Sequence, residues 1–300
     1  MTSPSTTTDR RTFLKAAGSA LAASTLAGQP AGAEAAAAAK PPWKKAFMLG
    51  AVSKGPVLGQ FQLLKEAGFE GVELLSPNGF DRDEVLKARD ATGLVIHGVS
   101  GSKHWDNPLS SPDQNVVDRG LAAIRQAIAD CKAYGGSTVL LVPAVVNAKV
   151  SYRDAYARSQ ANIRKVIPEA EAAGIKIAIE EVWNKFLLSA PEMARYVDEF
   201  GTPAVGAYFD VGNVVEFGYP QEWIRELGRR ILKIHIKEYA KPKRFSYDLG
   251  EGKEIDWPAV RAALVEVGYN GWITAEVGLG DLAAMKEVVR RMDEVLGLGT

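Results

Sequence analysis

Four side chains of metal-binding type occur in the last four strand-like stretches of this chain, one in each stretch. They are Glu181, Asp210, His235 and Glu276, and their separations are 29, 25 and 41 residues. Each interval is about the length of one strand and one helix, the last being lengthened by a loop. A carboxylate is costly to bury in an apolar strand unless something pairs with it. If the four strands end at one mouth of a barrel, a divalent cation is that partner, and the spacing predicts a metal site.

The ligand types indicate which cation the site would prefer. Three carboxylates and one imidazole, without a thiolate, favour one Mn²⁺ or Mg²⁺ ion, with Co²⁺, Fe²⁺ and Zn²⁺ as alternatives. Taken alone, Asp210 could cap a turn in Asp-Val-Gly-Asn, and His235 could be a hydrogen-bonded histidine inside a barrel. Four such residues at equivalent strand ends favour the metal site over separate structural roles.

The elements that must position these residues form a repeat from residue 44 onward. A helix, a glycine and an apolar strand recur, as in KEAGFEGVELL and AEAAGIKIAIEEV. A glycine after each helix and strands without polar alternation are typical of βαβ units in a parallel sheet. Strands are predicted at about residues 46–51, 71–75, 94–99, 138–142, 176–182, 205–211, 231–237 and 272–277, with a last helix near 281–296.

Eight such units predict an α/β protein with a single (β/α)8 TIM barrel over residues 44–300. A doubly wound open sheet is the alternative, but the first strand is not followed by a glycine-rich dinucleotide loop. Active sites of barrels lie at the carboxyl ends of the strands, where the four side chains also occur.

The first 35 residues are predicted to be a twin-arginine signal peptide. Arg10 and Arg11 precede a weakly apolar stretch, and small residues near 31–35 suit a signal peptidase. The stretch is too short to span a bilayer, so we expect no stable membrane anchor. Residues 36–43 are predicted to be a linker. The protein is therefore expected to engage the twin-arginine export machinery and to reach the periplasm or the cell exterior.

Composition argues against several other partners. The chain has 36 basic and 36 acidic residues, so its formal charge is zero and binding to nucleic acid is not expected. Cys131 is the only cysteine, which excludes an intramolecular disulfide. Its helical context predicts a buried, inert thiol.

Four motifs surround the candidate ligands. They are Glu181-Val182-Trp183-Asn184-Lys185-Phe186, Asp210-Val211-Gly212-Asn213, His235-Ile236-Lys237-Glu238 and Gly250-Glu251-Gly252-Lys253-Glu254-Ile255-Asp256-Trp257. Over about residues 46–296 the chain resembles the sugar phosphate isomerase/epimerase group of xylose-isomerase-like TIM barrels, particularly its ketose 3-epimerases. Glu180 and Glu181 point to opposite faces of a strand, so only one faces the barrel axis. The resemblance of the first motif selects Glu181.

This resemblance implies a reaction and roles for the residues. Glu181 and Glu276 would be metal ligands and opposed acid/bases that remove and return a proton next to a carbonyl, while a cation stabilises the enediolate. A sugar epimerase or isomerase is therefore expected, and homo-oligomers are common in this group. Five further residues are predicted to bind the sugar or line its site, namely His97, Glu73, Trp105, Trp183 and Lys237.

Four functions are compared on this basis. Export favours a free keto-sugar or sugar derivative over a sugar phosphate, because sugar phosphates are kept in the cytoplasm. The main alternative is a lyase that cleaves 3-keto-glycosides by β-elimination at the same site. A DNA-repair endonuclease of this fold needs a histidine-rich zinc cluster, and the chain has three histidines. A non-catalytic sugar-binding barrel would not need all four ligands.

Overall fold

The computed structural model describes residues 41–50 and 55–299, which contain eight parallel strands closed into a barrel. The strands are β1 (Lys44–Leu49), β2 (Gly71–Ser76), β3 (Val95–Gly101), β4 (Thr138–Leu141), β5 (Lys176–Glu180), β6 (Val205–Asp210), β7 (Ile231–Ile236) and β8 (Trp272–Ala275). Each pairs with its neighbours in the sequence, and β1 closes the ring against β8. The predicted barrel is confirmed, and the open doubly wound sheet is excluded.

The predicted signal peptide, residues 1–35, and residues 36–40 of the predicted linker lie outside the described residues. No helix in the described part of the chain is both long enough and apolar enough to cross a membrane. Cys131 is buried and unpaired, and burial raises the pKa of its thiol to about 12, which agrees with an inert core residue.

Helices connect the strands around the outside of the barrel. They are α1 (Val57–Ala67), α2 (Arg82–Thr92), α3 (Gln114–Tyr134), α4 (Tyr152–Arg164), α5 (Ile167–Ala173), α6 (Ala190–Asp198), α7 (Pro220–Leu227), α8 (Trp257–Glu266) and α9 (Leu282–Leu296). Asp81 and Asp281 begin α2 and α9 by accepting main-chain N–H groups of the first turn. Gly135 ends α3 at φ 82°, a left-handed conformation that favours glycine and turns the chain toward β4.

The two faces of each strand differ in what they contact. In β5, Ile177 and Ile179 belong to the large apolar core between the sheet and the helices. Ala178 instead packs with Tyr208 in a small separate cluster. Side chains alternate along a strand, so Glu180 projects to the same side as Ala178.

That side is the barrel interior, which is unusually polar. The hydroxyl of Tyr208 in β6 lies 2.6 Å from Glu73 Oε2 of β2 and 3.4 Å from Thr274 Oγ1 of β8. Strands that are not neighbours can contact one another only across the interior. His97 bonds Thr274 through Nε2 at 3.1 Å, and Lys233 Nζ donates to the His97 carbonyl at 3.3 Å. Barrel interiors are mostly filled by branched apolar side chains, so these polar residues form a distinct layer beneath the strand ends.

Candidate active site

Four acidic or imidazole side chains meet where strands β5 to β8 end. Glu180 is the last residue of β5, Asp210 is the last of β6, His235 precedes the last residue of β7, and Glu276 follows β8. One ligand atom from each lies within 4.8 Å of those of the others. Asp210 and His235 are also register partners in the sheet. The backbone ladder of the barrel therefore sets the spacing of this group.

The imidazole of His235 lies at the centre of the four. Its Nδ1 is 3.0 Å from Glu180 Oε1, 3.6 Å from Glu276 Oε2 and 4.0 Å from Asp210 Oδ2. Asp210 is held by the main-chain N–H of Asn213, which donates to Oδ1 at 2.7 Å. Oδ2 of Asp210 is buried and accepts no hydrogen bond from the described residues. That oxygen faces the Lys237 ammonium at 3.3 Å and can accept a further ligand.

Glu180, and not Glu181, is the glutamate that the structure places in this group. Glu181 projects to the other side, where Oε1 accepts the main-chain N–H of Asp210 at 2.8 Å. The Glu181 carbonyl accepts the side-chain amide of Asn213 at 2.9 Å. The motif predicts Glu181, whereas the structure places the neighbouring residue in the group. Side chains alternate along β5, and this alternation turns Glu180 toward the barrel axis. Glu181 instead supports the main chain that carries Asp210.

Lys237 compensates part of the negative charge of the group. Its Nζ lies 2.6 Å from Glu276 Oε2 and 3.3 Å from Asp210 Oδ2. Burial raises the pKa of Asp210 to about 7, although Lys237 opposes that shift. Burial also acts to raise the pKa of Glu276, but Lys237 and His235 outweigh it and lower that pKa to about 2. The two carboxylates thus differ in how strongly their charge is balanced.

The donors of this group fit a divalent cation. Burying three carboxylates around one imidazole and one ammonium group is costly, because the positive charges are too few to pair them all. The oxygen-rich donor set suits Mn²⁺ or Mg²⁺, and an added imidazole is also common for Fe²⁺, Co²⁺ and Zn²⁺. Glu180, Asp210, His235 and Glu276 are the residues that would hold such an ion.

Two of the residues predicted to contact the sugar lie beneath the cavity instead. Glu73 has no exposed surface, and its Oε1 lies 3.1 Å from His235 Nε2. His97 is buried and stacks on Trp272 at a centroid distance of 5.0 Å. Burial lowers the pKa of His97 well below its usual value, so this imidazole is neutral. Neither residue lines the cavity above the four ligands.

A cavity of about 710 Å³ opens above the four ligands. Trp105, Trp183 and Lys237 line it, and their contact with a sugar stays a prediction. Trp183 is fixed by its Nε1, which donates to the Asn213 carbonyl at 3.0 Å, whereas Trp105 is 52% exposed. Aromatic rings of this kind suit the apolar face of a sugar ring.

Several lining residues were not predicted from the sequence. They include Asn78, Ser102, Lys103, His104, Asn213 and Phe245. Burial lowers the pKa of His104 to about 4, so it enters the cavity as a neutral imidazole near neutral pH. These residues come mainly from loops after β2, β3 and β7, where the sequence has no periodicity that would reveal a wall.

The long loop after β7 is anchored by Glu238. Its Oε2 accepts the main-chain N–H of Gly250 and the indole N–H of Trp257, the latter at 3.1 Å. A side chain at Gly252 would lie 2.5 Å from Glu238 Oε1, so this position requires glycine. The motif from Gly250 to Trp257 thus holds the loop that carries Phe245 over the cavity.

Comparison with known proteins identifies the family. A family model described as a xylose isomerase-like TIM barrel matches residues 61–295. The L-ribulose 3-epimerase of Mesorhizobium japonicum is 28% identical over 215 residues, covering 68% of this chain and 70% of that protein. The L-ribulose-5-phosphate 3-epimerase UlaE of Escherichia coli is 26% identical over 227 residues, covering 71% and 79%.

Solved structures show the same fold. An L-ribulose 3-epimerase superposes with a TM-score of 0.72 at 21% identity, covering 85% of this chain and 95% of that one. The 3-keto-D-glucoside 4-epimerase YcjR of E. coli gives a TM-score of 0.72 at 17% identity, covering 84% and 99%. Since the family match spans most of the barrel and its ligand group, the chain belongs to the xylose isomerase-like TIM barrel family.

Proposed function

We propose that this protein is a divalent-metal-dependent sugar epimerase or isomerase acting on a keto-sugar. The observation that carries the proposal is the meeting of Glu180, Asp210, His235 and Glu276 under a cavity of sugar-binding size. The curated relatives are 3-epimerases of L-ribulose and of L-ribulose 5-phosphate, which supports the same class of reaction. The metal assignment rests on the donor chemistry.

The acid/base roles are assigned to Glu180 and Glu276. They come from the first and the last of four consecutive strands and so approach the substrate from two sides of the group. One carboxylate takes the proton from the carbon next to the carbonyl, and the other returns a proton to the opposite face. A bound divalent cation would act as a Lewis acid for the negative charge that develops on the sugar oxygens. Burial raises the pKa of Glu180, which favours its protonated form as the proton donor, whereas the lowered pKa of Glu276 keeps that carboxylate ionised as the proton acceptor.

Lys237 and the aromatic residues would orient the sugar. The Lys237 ammonium reaches the cavity beside Glu276, where it can donate a hydrogen bond to a substrate oxygen. Trp105 and Trp183 offer apolar surface to a sugar ring. Two lysines, Lys103 and Lys237, are among the described residues that line the cavity. Lys237 is paired with the ligand group, so Lys103 is the lysine that remains to pair with a substrate phosphate. This modest positive charge favours an unphosphorylated sugar or sugar derivative.

Export supports the same choice of substrate. The paired arginines at positions 10 and 11 indicate a twin-arginine signal, which would deliver a folded protein outside the cytoplasm. Cell fractionation of the full-length chain beside an Arg10→Lys, Arg11→Lys variant tests this. Export of the wild type and retention of the variant are expected, and a wild-type protein confined to the cytoplasm would contradict it.

Proton exchange tests the reaction itself. The Mn²⁺-loaded protein is incubated in D₂O with a panel of ketopentoses, ketohexoses and 3-keto-glycosides. We expect deuterium at the epimerised carbon together with a new epimer, and loss of both in Glu180→Gln and Glu276→Gln. Release of aglycone without exchange would instead indicate the lyase, whereas the relatives named above are named as epimerases. Absence of any reaction across the panel would contradict the proposal.

A further inference from the structure

The two nitrogens of His235 face different partners. Nδ1 points toward the carboxylates of the ligand group, with Glu180 Oε1 at 3.0 Å. Nε2 points down into the barrel, where Glu73 Oε1 lies at 3.1 Å. His235 is 1% exposed, so water does not compete for either nitrogen. The ring is therefore held between two sets of acceptors.

Glu73 is itself held by a second hydrogen bond. The hydroxyl of Tyr208 donates to Glu73 Oε2 at 2.6 Å, and the Tyr208 ring packs against His235 at a centroid distance of 4.3 Å. Glu73 does not line the cavity, so it does not touch the substrate. Its sequence position at the end of β2 predicts a sugar contact that the structure does not show, which leaves this buried side chain without a function in the proposed reaction.

We propose that Glu73 is a positioning residue that fixes which nitrogen of His235 binds the cation. A neutral imidazole carries one N–H, and a carboxylate can only accept it. Glu73 therefore keeps the proton on Nε2 and leaves the Nδ1 lone pair directed at Glu180, Asp210 and Glu276. Partners of this kind orient metal-ligating histidines and set their tautomer. The inference rests on the proposed function, because it requires the group to hold a divalent cation.

Two variants of Glu73 separate orientation from charge. Glu73→Asp keeps the negative charge but withdraws the acceptor by one methylene, whereas Glu73→Gln removes the charge but keeps an acceptor oxygen at the same distance. We expect calorimetric titration with Mn²⁺ to show affinity lowered about 10- to 100-fold in Glu73→Asp and within about threefold of wild type in Glu73→Gln. Thr274→Val, which alters the same polar layer without touching a His235 nitrogen, is the matched control and should bind as wild type.

Nitrogen NMR gives a second readout that general destabilisation does not move. The chain has three histidines. With ¹⁵N-histidine labelling, His104→Gln identifies the signals of His104, and Thr274→Val, which removes the partner of His97 Nε2, separates the signals of His97 from those of His235. In the Zn²⁺-loaded wild type we expect Nε2 to remain protonated and Nδ1 to carry the metal-shifted signal. An unprotonated Nε2 in the wild type would overturn the role of Glu73 even if Glu73→Asp does not fold.

The outcomes distinguish this inference from the proposed function. Wild-type Mn²⁺ affinity in Glu73→Asp, a greater loss in Glu73→Gln than in Glu73→Asp, or an unprotonated Nε2 in the Zn²⁺ form would overturn the role of Glu73 alone. Absence of Mn²⁺ and Zn²⁺ binding by the wild type would overturn the proposed function and this inference together.

Discussion

At the scale of single residues, the site depends on which of two adjacent glutamates faces the barrel axis. Glu180 joins the ligand group, whereas Glu181 accepts the main-chain N–H of Asp210. The sequence does contain a signal for this choice, because Ile177 and Ile179 are the large aliphatic residues that pack on helices, and Glu181 shares their phase. The motif match, in contrast, favours Glu181 and so disagrees with the alternation by one residue. Strand alternation is thus the better guide when two ligand types are adjacent.

Replacing each glutamate with glutamine separates the two roles. Glu180→Gln should lower Mn²⁺ affinity on the order of 100-fold and turnover about 10²- to 10⁴-fold, because it removes both a ligand and an acid/base. Glu181→Gln should keep both within about threefold, since the glutamine oxygen still accepts the Asp210 N–H. Titration calorimetry and the deuterium-exchange assay measure the effects. The reverse pattern would restore Glu181 as the ligand.

His104 makes the folded state sensitive to acid. Burial lowers the pKa of its imidazole to about 4 in the folded protein, below the unfolded value of about 6.5. The unfolded chain therefore binds the additional proton first, and the stability contributed by His104 is lost as the pH falls from about 6.5 to about 4.

His104→Gln should remove this part of the acid sensitivity, which amounts to at most about 3 kcal/mol. Urea unfolding of wild type and variant at pH 7, 5.5 and 4.5 measures the difference. As the pH falls, the free energy of unfolding of the wild type should decrease by more than that of the variant. A difference that stays constant with pH would show that His104 does not titrate in this range.

At the scale of elements, the barrel and its ligand strands are accessible to sequence reasoning, but the cavity wall is not. Repeated helix–glycine–strand units reveal the eight strands because local hydrophobic pattern and turn chemistry agree. Asp210, His235 and Glu276 follow from ionisable residues at apolar strand ends. His104 and Phe245 lie on loops whose paths depend on tertiary contacts, such as the anchoring of the β7 loop by Glu238. No local pattern encodes those contacts.

The turn after β6 offers a test of how closely elements pack at the site. A Cβ at Gly212 would lie 2.7 Å from Lys237 Cγ and 2.8 Å from the Lys237 carbonyl oxygen. Gly212→Ala should therefore displace Lys237, lower the free energy of unfolding by about 1–3 kcal/mol and reduce turnover at least about tenfold.

Gly59→Ala is the matched control for this substitution. Gly59 lies within α1, and a methyl group at this position would meet nothing within 4 Å among the described residues. Alanine should therefore raise the free energy of unfolding by about 0.5–1 kcal/mol and leave turnover unchanged. Denaturant unfolding and the exchange assay measure both quantities. Wild-type turnover in Gly212→Ala would show that the position of Lys237 does not matter.

At the scale of the whole molecule, an ion held by the buried ligand group would link metal binding to stability. Four strands contribute ligands, so a bound cation would connect half of the barrel wall. A ligand that binds only the folded state stabilises it by about 2.7 kcal/mol at 100 times its Kd. For a domain of this size that corresponds to a rise in Tm of about 5–10 °C.

Differential scanning calorimetry with and without Mn²⁺ measures this rise, and EDTA should reverse it. Asp210→Asn is expected to lose most of the increase, because it weakens one of the four ligands. An identical Tm with saturating Mn²⁺ and with EDTA would contradict a metal site in this barrel.

The ligand group and part of the cavity wall come from different parts of the barrel, and this separation has an evolutionary consequence. Strands β5 to β8 carry the four ligands and Lys237, whereas loops after β2 and β3 carry Asn78 and Trp105. If the proposed reaction holds, mutations in those two loops would change which sugar is accepted without disturbing the residues that move the proton. Substrate preference in such a barrel can therefore diverge quickly among descendants while the reaction type is inherited unchanged.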